Sequence, residues 1–169
     1  YRDDAYHFLR IGRNLERADM TTRILDVRST DLFDEEESES RTLDALQWIS
    51  VLKSLSGYQS YRKHQQIRVR RGPVLQFLLE DKRFPRSVAH CIDAVEESVG
   101  DFGSNGTVLR RSRAVASLLT KIDAENLSQA ALHQIIDEIQ IGIMEVHTAL
   151  AKAYFLSQYD TSQVQLQSA

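Results

Sequence analysis

Glycine and proline are scarce in this chain, seven and two in 169 residues. So few chain-breakers exclude a fold of many short strands and turns and call for a few long elements. A single cysteine, Cys91, excludes an internal disulfide framework. It fits a reducing compartment, so the cytoplasm is the expected location. No apolar run approaches the roughly 18 residues of a membrane span, and no stretch has the apolar core of a signal peptide. Neither sign of charge dominates: 21 Lys and Arg stand against 24 Asp and Glu, for a net charge of −3. The molecule as a whole is therefore not a polyanion binder by net charge. What is present, 42% hydrophobic and 27% charged residues, suits one domain over residues 1–169 with a real core. Because it opens on Tyr1, the chain is expected to be a piece of a longer protein.

Hydrophobic periodicity predicts about six helices and no strand. The first runs from Asp4 to Val27 behind Asp3 or Asp4 as cap. An acidic loop, Asp31–Glu39, follows. A second helix starts near Thr42 with the stripe Ala45, Trp48, Ile49, Leu52 and Leu55, and Gly57 is expected to stop it. A short helical turn is expected around Tyr58–Tyr61. Pro73 and Pro85 are each placed to open a helix, Pro73–Glu80 and Pro85–Val99. The second carries Val88, Cys91, Ile92, Val95 and Val99 on one face. After a Gly103–Gly106 turn, Thr107–Lys121 aligns Val108, Val115, Leu119 and Ile122. Ser128 caps the longest helix, which runs to about Ser157 with a stripe from Leu132 to Tyr154. Short connections favour antiparallel neighbours, so the expected fold is an all-α bundle.

The first helix carries the residues of interest. At 100° per residue, Ala5, Phe8, Leu9, Gly12, Leu15 and Thr22 share a broad face, and Glu16, Asp19 and Arg23 fall among them. Charges in a buried stripe are costly unless paired. They therefore define either an ion-pair network that sets the packing of the helix or a polar pocket presenting a carboxylate. Asp19 and Arg23 are spaced as an i, i+4 pair, and Arg13 lies three residues before Glu16.

Three other features are weaker. The segment from Arg62 to Arg71 is basic, and Arg68, Arg70 and Arg71 could bind phosphate or an acidic partner. Only Tyr58 and Tyr61 offer stacking surface nearby, and no helix-turn-helix with a basic second helix is evident, so nucleic acid is not the expected ligand. His133, Gln140 and His147 recur every seven residues on the flank of the last helix, where His147 could meet Glu16. No Glu-x-x-His pair, His-Glu-x-x-His motif or cysteine cluster is present, so no metal site is expected. No Gly-rich phosphate loop or Gly-x-Ser-x-Gly elbow occurs, and no cofactor is expected. Cys91, between Val88 and Val95, reads as core.

The run GRNLERADMTTRILDV closely resembles the signature of the bacterial alpha-E domain family, named for a Glu-Arg motif that is here Glu16-Arg17. Residues 46–63, 77–96 and 132–155 are similar to later stretches of the family. The resemblance covers nearly the whole chain. It implies an all-helical fold of uncharacterised activity, and it carries over Arg13, Glu16, Arg17, Asp19 and Arg23 as motif positions. Members are about twice this length, with a Glu-Arg helix near the start of each half, and this chain is similar to the second half. The missing N-terminal half is then an expected partner, and a surface made for it could instead form a homodimer. The family's association with ATP-grasp ligase-like and transglutaminase-like proteins implies a role in making or processing peptides or peptide-like amides.

Three readings of function follow. The first is a helical accessory or interaction domain beside an ATP-grasp ligase-like partner. The second is an enzyme with Glu16 as general acid or base. The third is a binding module for nucleic acid or acidic ligands through Arg68, Arg70 and Arg71 of the basic 62–71 segment.

Overall fold

The computed structural model describes residues 1–31, 40–65, 68–101 and 106–156. The expected acidic loop and the Gly103–Gly106 turn lie almost wholly outside these residues. Seven α-helices and a terminal π-helical turn make up the described part, and no strand occurs in it: α1 (Asp4–Asp31), α2 (Ser40–Ser54), α3 (Tyr58–Gln65), α4 (Arg71–Glu80), α5 (Val88–Asp101), α6 (Gly106–Leu119) and α7 (Gln129–Ala151), then Lys152–Leu156.

Four long helices form the bundle, with α1 packed on α5 and α7 and α6 closing the ring between those two. Cross-helix contacts give the directions. Arg10 near the start of α1 pairs with Glu97 near the end of α5, while Thr21 further along α1 bonds the carbonyl of Arg86 just before α5. Phe8 meets Tyr154 at the far end of the chain, and Asp26 meets His133 at the start of α7. Arg113 of α6 pairs with Glu96 of α5, and Arg111 of α6 with Glu145 of α7. Each helix thus runs antiparallel to both neighbours. The helices α2 to α4 form a second layer, with α2 packed on α1 and α4, and α4 on α5. There the Tyr61, Phe77 and Phe84 rings pack edge-on and stacked, 5.4 and 4.6 Å between centroids. The Tyr61 hydroxyl is buried in this cluster with no described partner.

The stripes of α5 and α7 are buried as periodicity predicts, from Val88 to Val99 and from Leu132 to Leu150. Ser128 caps α7, its hydroxyl accepting from the Ala131 amide at 3.2 Å. Helix starts and stops differ in several places, three of them with a clear local cause. Pro85 does not open α5; Ser87 does, its hydroxyl accepting from the His90 amide at 3.1 Å. A side chain that satisfies an orphan amide defines a helix start better than a proline that merely tolerates one. The helix α4 begins at Arg71, two residues before Pro73, which sits in the first turn where its missing N–H costs nothing. In the α2–α3 turn, Ser56 takes the left-handed conformation (φ 54°). Gly57 serves close packing instead: a Cβ there would lie 2.9 Å from the Phe84 ring.

The largest correction concerns α1. Its buried stripe is His7, Ile11, Asn14, Leu15, Ala18, Thr21, Thr22 and Leu25. This stripe is centred about a third of a turn from the expected face. Ala5, Leu9 and Gly12 are exposed. The polar members hid the stripe, and each has a partner within the chain. Asn14 donates to the Arg10 carbonyl at 2.7 Å. Thr21 donates to the Arg86 carbonyl and Thr22 to the Asp19 carbonyl, both at 2.8 Å. The His7 ring lies 3.5 Å from the Asp101 carboxylate.

Candidate functional site

With the core stripe turned toward α5, the charged face of α1 lies along α7. Below it, Leu15 and Ile143 are buried. Above them a groove of about 570 Å³ opens to solvent. From α1 it is lined by Gly12, Glu16, Asp19 and Arg23, and from α7 by Asp137, Gln140, Ile141, Met144 and His147. The groove exists because the facing side chains do not fill the seam. Among the described residues, nothing beyond the helix's own backbone lies within 4 Å of the place a Gly12 side chain would occupy.

Glu16 is exposed, and no described residue forms an ion pair with it. The expected buried network is therefore absent there: the carboxylate is open to solvent and forms no described ion pair. Asp19 and Arg23 form the expected i, i+4 pair at 2.7 Å, on the rim of the groove. Glu16 and His147, from opposite helices, share the groove as the seven-residue spacing on α7 suggested. Arg13 is exposed and does not line the groove. Arg17 is half-buried on another side of the helix, where its charge acts on Cys91 of α5. The Glu-Arg pair is thus divided between two faces, Glu16 toward the groove and Arg17 toward the α5 side.

Cys91 is core, as expected. Burial pushes its thiol up to about 12, against a smaller downward pull from Arg17 and Arg86. Such a group is no nucleophile.

The basic segment also divides. Arg71 donates to the Leu127 carbonyl at 2.5 Å and reaches the Ser128 carbonyl at 3.5 Å, tying α4 to the turn before α7. Burial lowers its guanidinium pKa, opposed by the charge of Asp44. Arg68 and Arg70 are exposed. Only two of the three arginines are thus turned to solvent.

One cluster was not foreseen. His133 Nδ1 lies 2.6 Å from Asp26 of α1, and its Nε2 lies 3.7 Å from Asp137. The hydrogen bond and charge of Asp26, and then the charge of Asp137, raise the pKa of the ring. One ligand atom from each of the three residues falls within 4.8 Å of the others. Imidazole with two carboxylates is a donor set that a divalent metal can use. Sequence offered only the His133–Asp137 half of this arrangement, since Asp26 is 107 residues from His133.

The fold and groove together define a class: an antiparallel helical bundle with an open seam between its first and last long helices. Residues 1–155 match the family model described as "a predicted alpha-helical domain with a conserved ER motif". The chain belongs to this alpha-E family, and Glu16-Arg17 is the sole Glu-Arg pair in its sequence. No curated protein and no solved structure matches the chain.

Proposed function

We infer that the chain is a helical interaction domain of a bacterial, cytoplasmic system that modifies peptides or amides, and that its α1–α7 groove receives a partner segment or substrate. One observation carries this reading: Glu16, a motif residue, is solvent-exposed on a groove that the fold leaves open, so the bundle has no evident structural need of it. Residues kept without structural need are candidates for function. The ATP-grasp ligase-like partner follows from the family resemblance. The test is binding of this chain to the ATP-grasp ligase-like protein of the same source. Glu16→Gln should weaken binding or abolish joint activity while the helical circular dichroism is unchanged. Unaltered binding and activity in this variant would remove the reading.

A second reading is favoured by Glu16 and His147 lining the same groove. A carboxylate and an imidazole on facing walls are the groups general acid–base chemistry needs. His147→Asn distinguishes the two: catalysis predicts lost turnover with partner binding retained, and docking alone predicts weakened binding.

A further inference from the structure

We propose that the α1–α7 groove takes a short amphipathic helix of positive charge, presented by a partner protein, with its apolar side on Ile141 and Met144 and its cations facing Glu16 and Asp137. This rests on the groove reading above and gives the occupant its chemistry.

The first support is charge. Three carboxylates, Glu16, Asp19 and Asp137, line the groove against one guanidinium, Arg23, which is held by Asp19 at 2.7 Å. The wall is acidic although the chain as a whole is nearly balanced, and complementary charge steers and selects a partner. Asp137 also faces the His133 ring at 3.7 Å, whereas Glu16 has no described ion-pair partner.

The second support is exposed apolar surface. Ile141 and Met144 are 60% and 66% exposed, three residues apart on α7. Apolar anchors at such spacings are how one helix reads another laid in a groove, and a methionine adapts to the surface it meets.

The third support is shape. Gly12 lies inside a 28-residue helix, where glycine weakens the helix, and among the described residues nothing beyond the helix's own backbone fills the space it leaves. A backbone passing close to α1 would use it. From Asp137 to His147, α7 rises about 15 Å, or about three turns of a docked helix.

The probe is a labelled, end-blocked peptide of about 14 residues with leucines at i, i+3, i+4 and i+7 and lysines elsewhere. Controls are a peptide with Glu for every Lys and a scramble of equal composition. The Lys–Leu peptide should bind, gain helicity on binding and dissociate as salt is raised. Glu16→Gln with Asp137→Asn should weaken it roughly three- to tenfold at low salt. Gly12→Leu should abolish binding, and Met144→Lys, which removes an apolar anchor and repels the cationic peptide, gives an independent block at an exposed position. Equal binding of the Glu–Leu peptide or the scramble, or binding indifferent to both blocking variants, overturns the proposal. So does a dimer of this chain that Gly12→Leu dissolves, since the occupant is then a second copy. If Gly12→Leu releases the ligase-like partner but the Lys–Leu peptide fails to compete for it, the groove reading stands and the chemistry falls. If Gly12→Leu leaves that partner bound, the groove reading itself falls.

Discussion

Two faces of α1 carry polar residues, and they carry them for different reasons. On the core side His7, Asn14, Thr21 and Thr22 are buried, and each meets a partner within the chain. On the α7 side Glu16 faces water in a groove, and the Asp19–Arg23 pair sits at its rim. A buried polar group must be bonded or it destabilises the fold, so polarity in the core stripe is explained by packing. Polarity along the open seam is not, and that difference is what directs attention to Glu16 rather than to a buried polar residue such as Thr21. Pairing alone does not identify a functional residue. Solvent access, an unfilled cavity and the lack of a described ion-pair partner make Glu16 the residue to test.

The comparison can be broken by mutation, starting where the effect is largest. Leu25→Ala on the core face removes a fully buried side chain and should lower unfolding free energy by about 2–5 kcal/mol in urea titrations. A loss no larger than that of a surface substitution would show the core face to be wrongly assigned. Gly12→Ala on the groove face should act in the opposite direction. With nothing within 4 Å of the new methyl group, helix propensity alone should raise stability by roughly 0.5–1 kcal/mol, seen as a higher melting temperature. A fall would mean that the seam is closed in solution.

Glu16→Gln should change stability by less than about 0.5 kcal/mol, because an exposed carboxylate without a partner contributes little to the fold. A destabilisation of about 3–5 kcal/mol, the penalty for breaking a buried ion pair, would restore a packing role to this residue.

The last effect is a slope with pH. The His133 pKa is raised in the folded state by Asp26 and Asp137. Its stabilisation is therefore full below the ordinary value of 6.5 and is lost as pH rises through the elevated one. Melting temperatures should accordingly fall as pH rises above 6.5 in the parent more than in His133→Gln. Parallel curves would show that the Asp26–His133 contact contributes nothing in solution.

Much of the fold was legible from residues alone, for reasons that particular elements make plain. The helices α5 and α7 have stripes made almost entirely of Val, Ile, Leu and Cys, so the 3.6-residue period is undiluted. In α1 half of the buried positions are polar, and exposed Leu9, Met20 and Val27 pull the apparent apolar face away from the core. Periodicity therefore put Glu16, Asp19 and Arg23 in the core when they lie beside it. The candidate residues were still found, because a motif is read from residue identity and does not depend on knowing which way a face points. The Asp26–His133 contact and the seizure of Arg71 by the Leu127 carbonyl were beyond sequence reading, since each joins residues more than 50 positions apart.

What the sequence determined by itself is the helical class, most helix positions, the core status of Cys91 and the alpha-E signature around Glu16-Arg17. These follow from local propensity, periodicity and residue identity, which need no knowledge of distant neighbours. Only the tertiary structure decided which face of α1 is core, that Glu16 and Arg17 part toward different faces, and that Glu16 and His147 line one open groove. Those facts depend on how two helices more than a hundred residues apart in sequence are set against each other. That arrangement is chosen by the whole core at once and is written in no single segment.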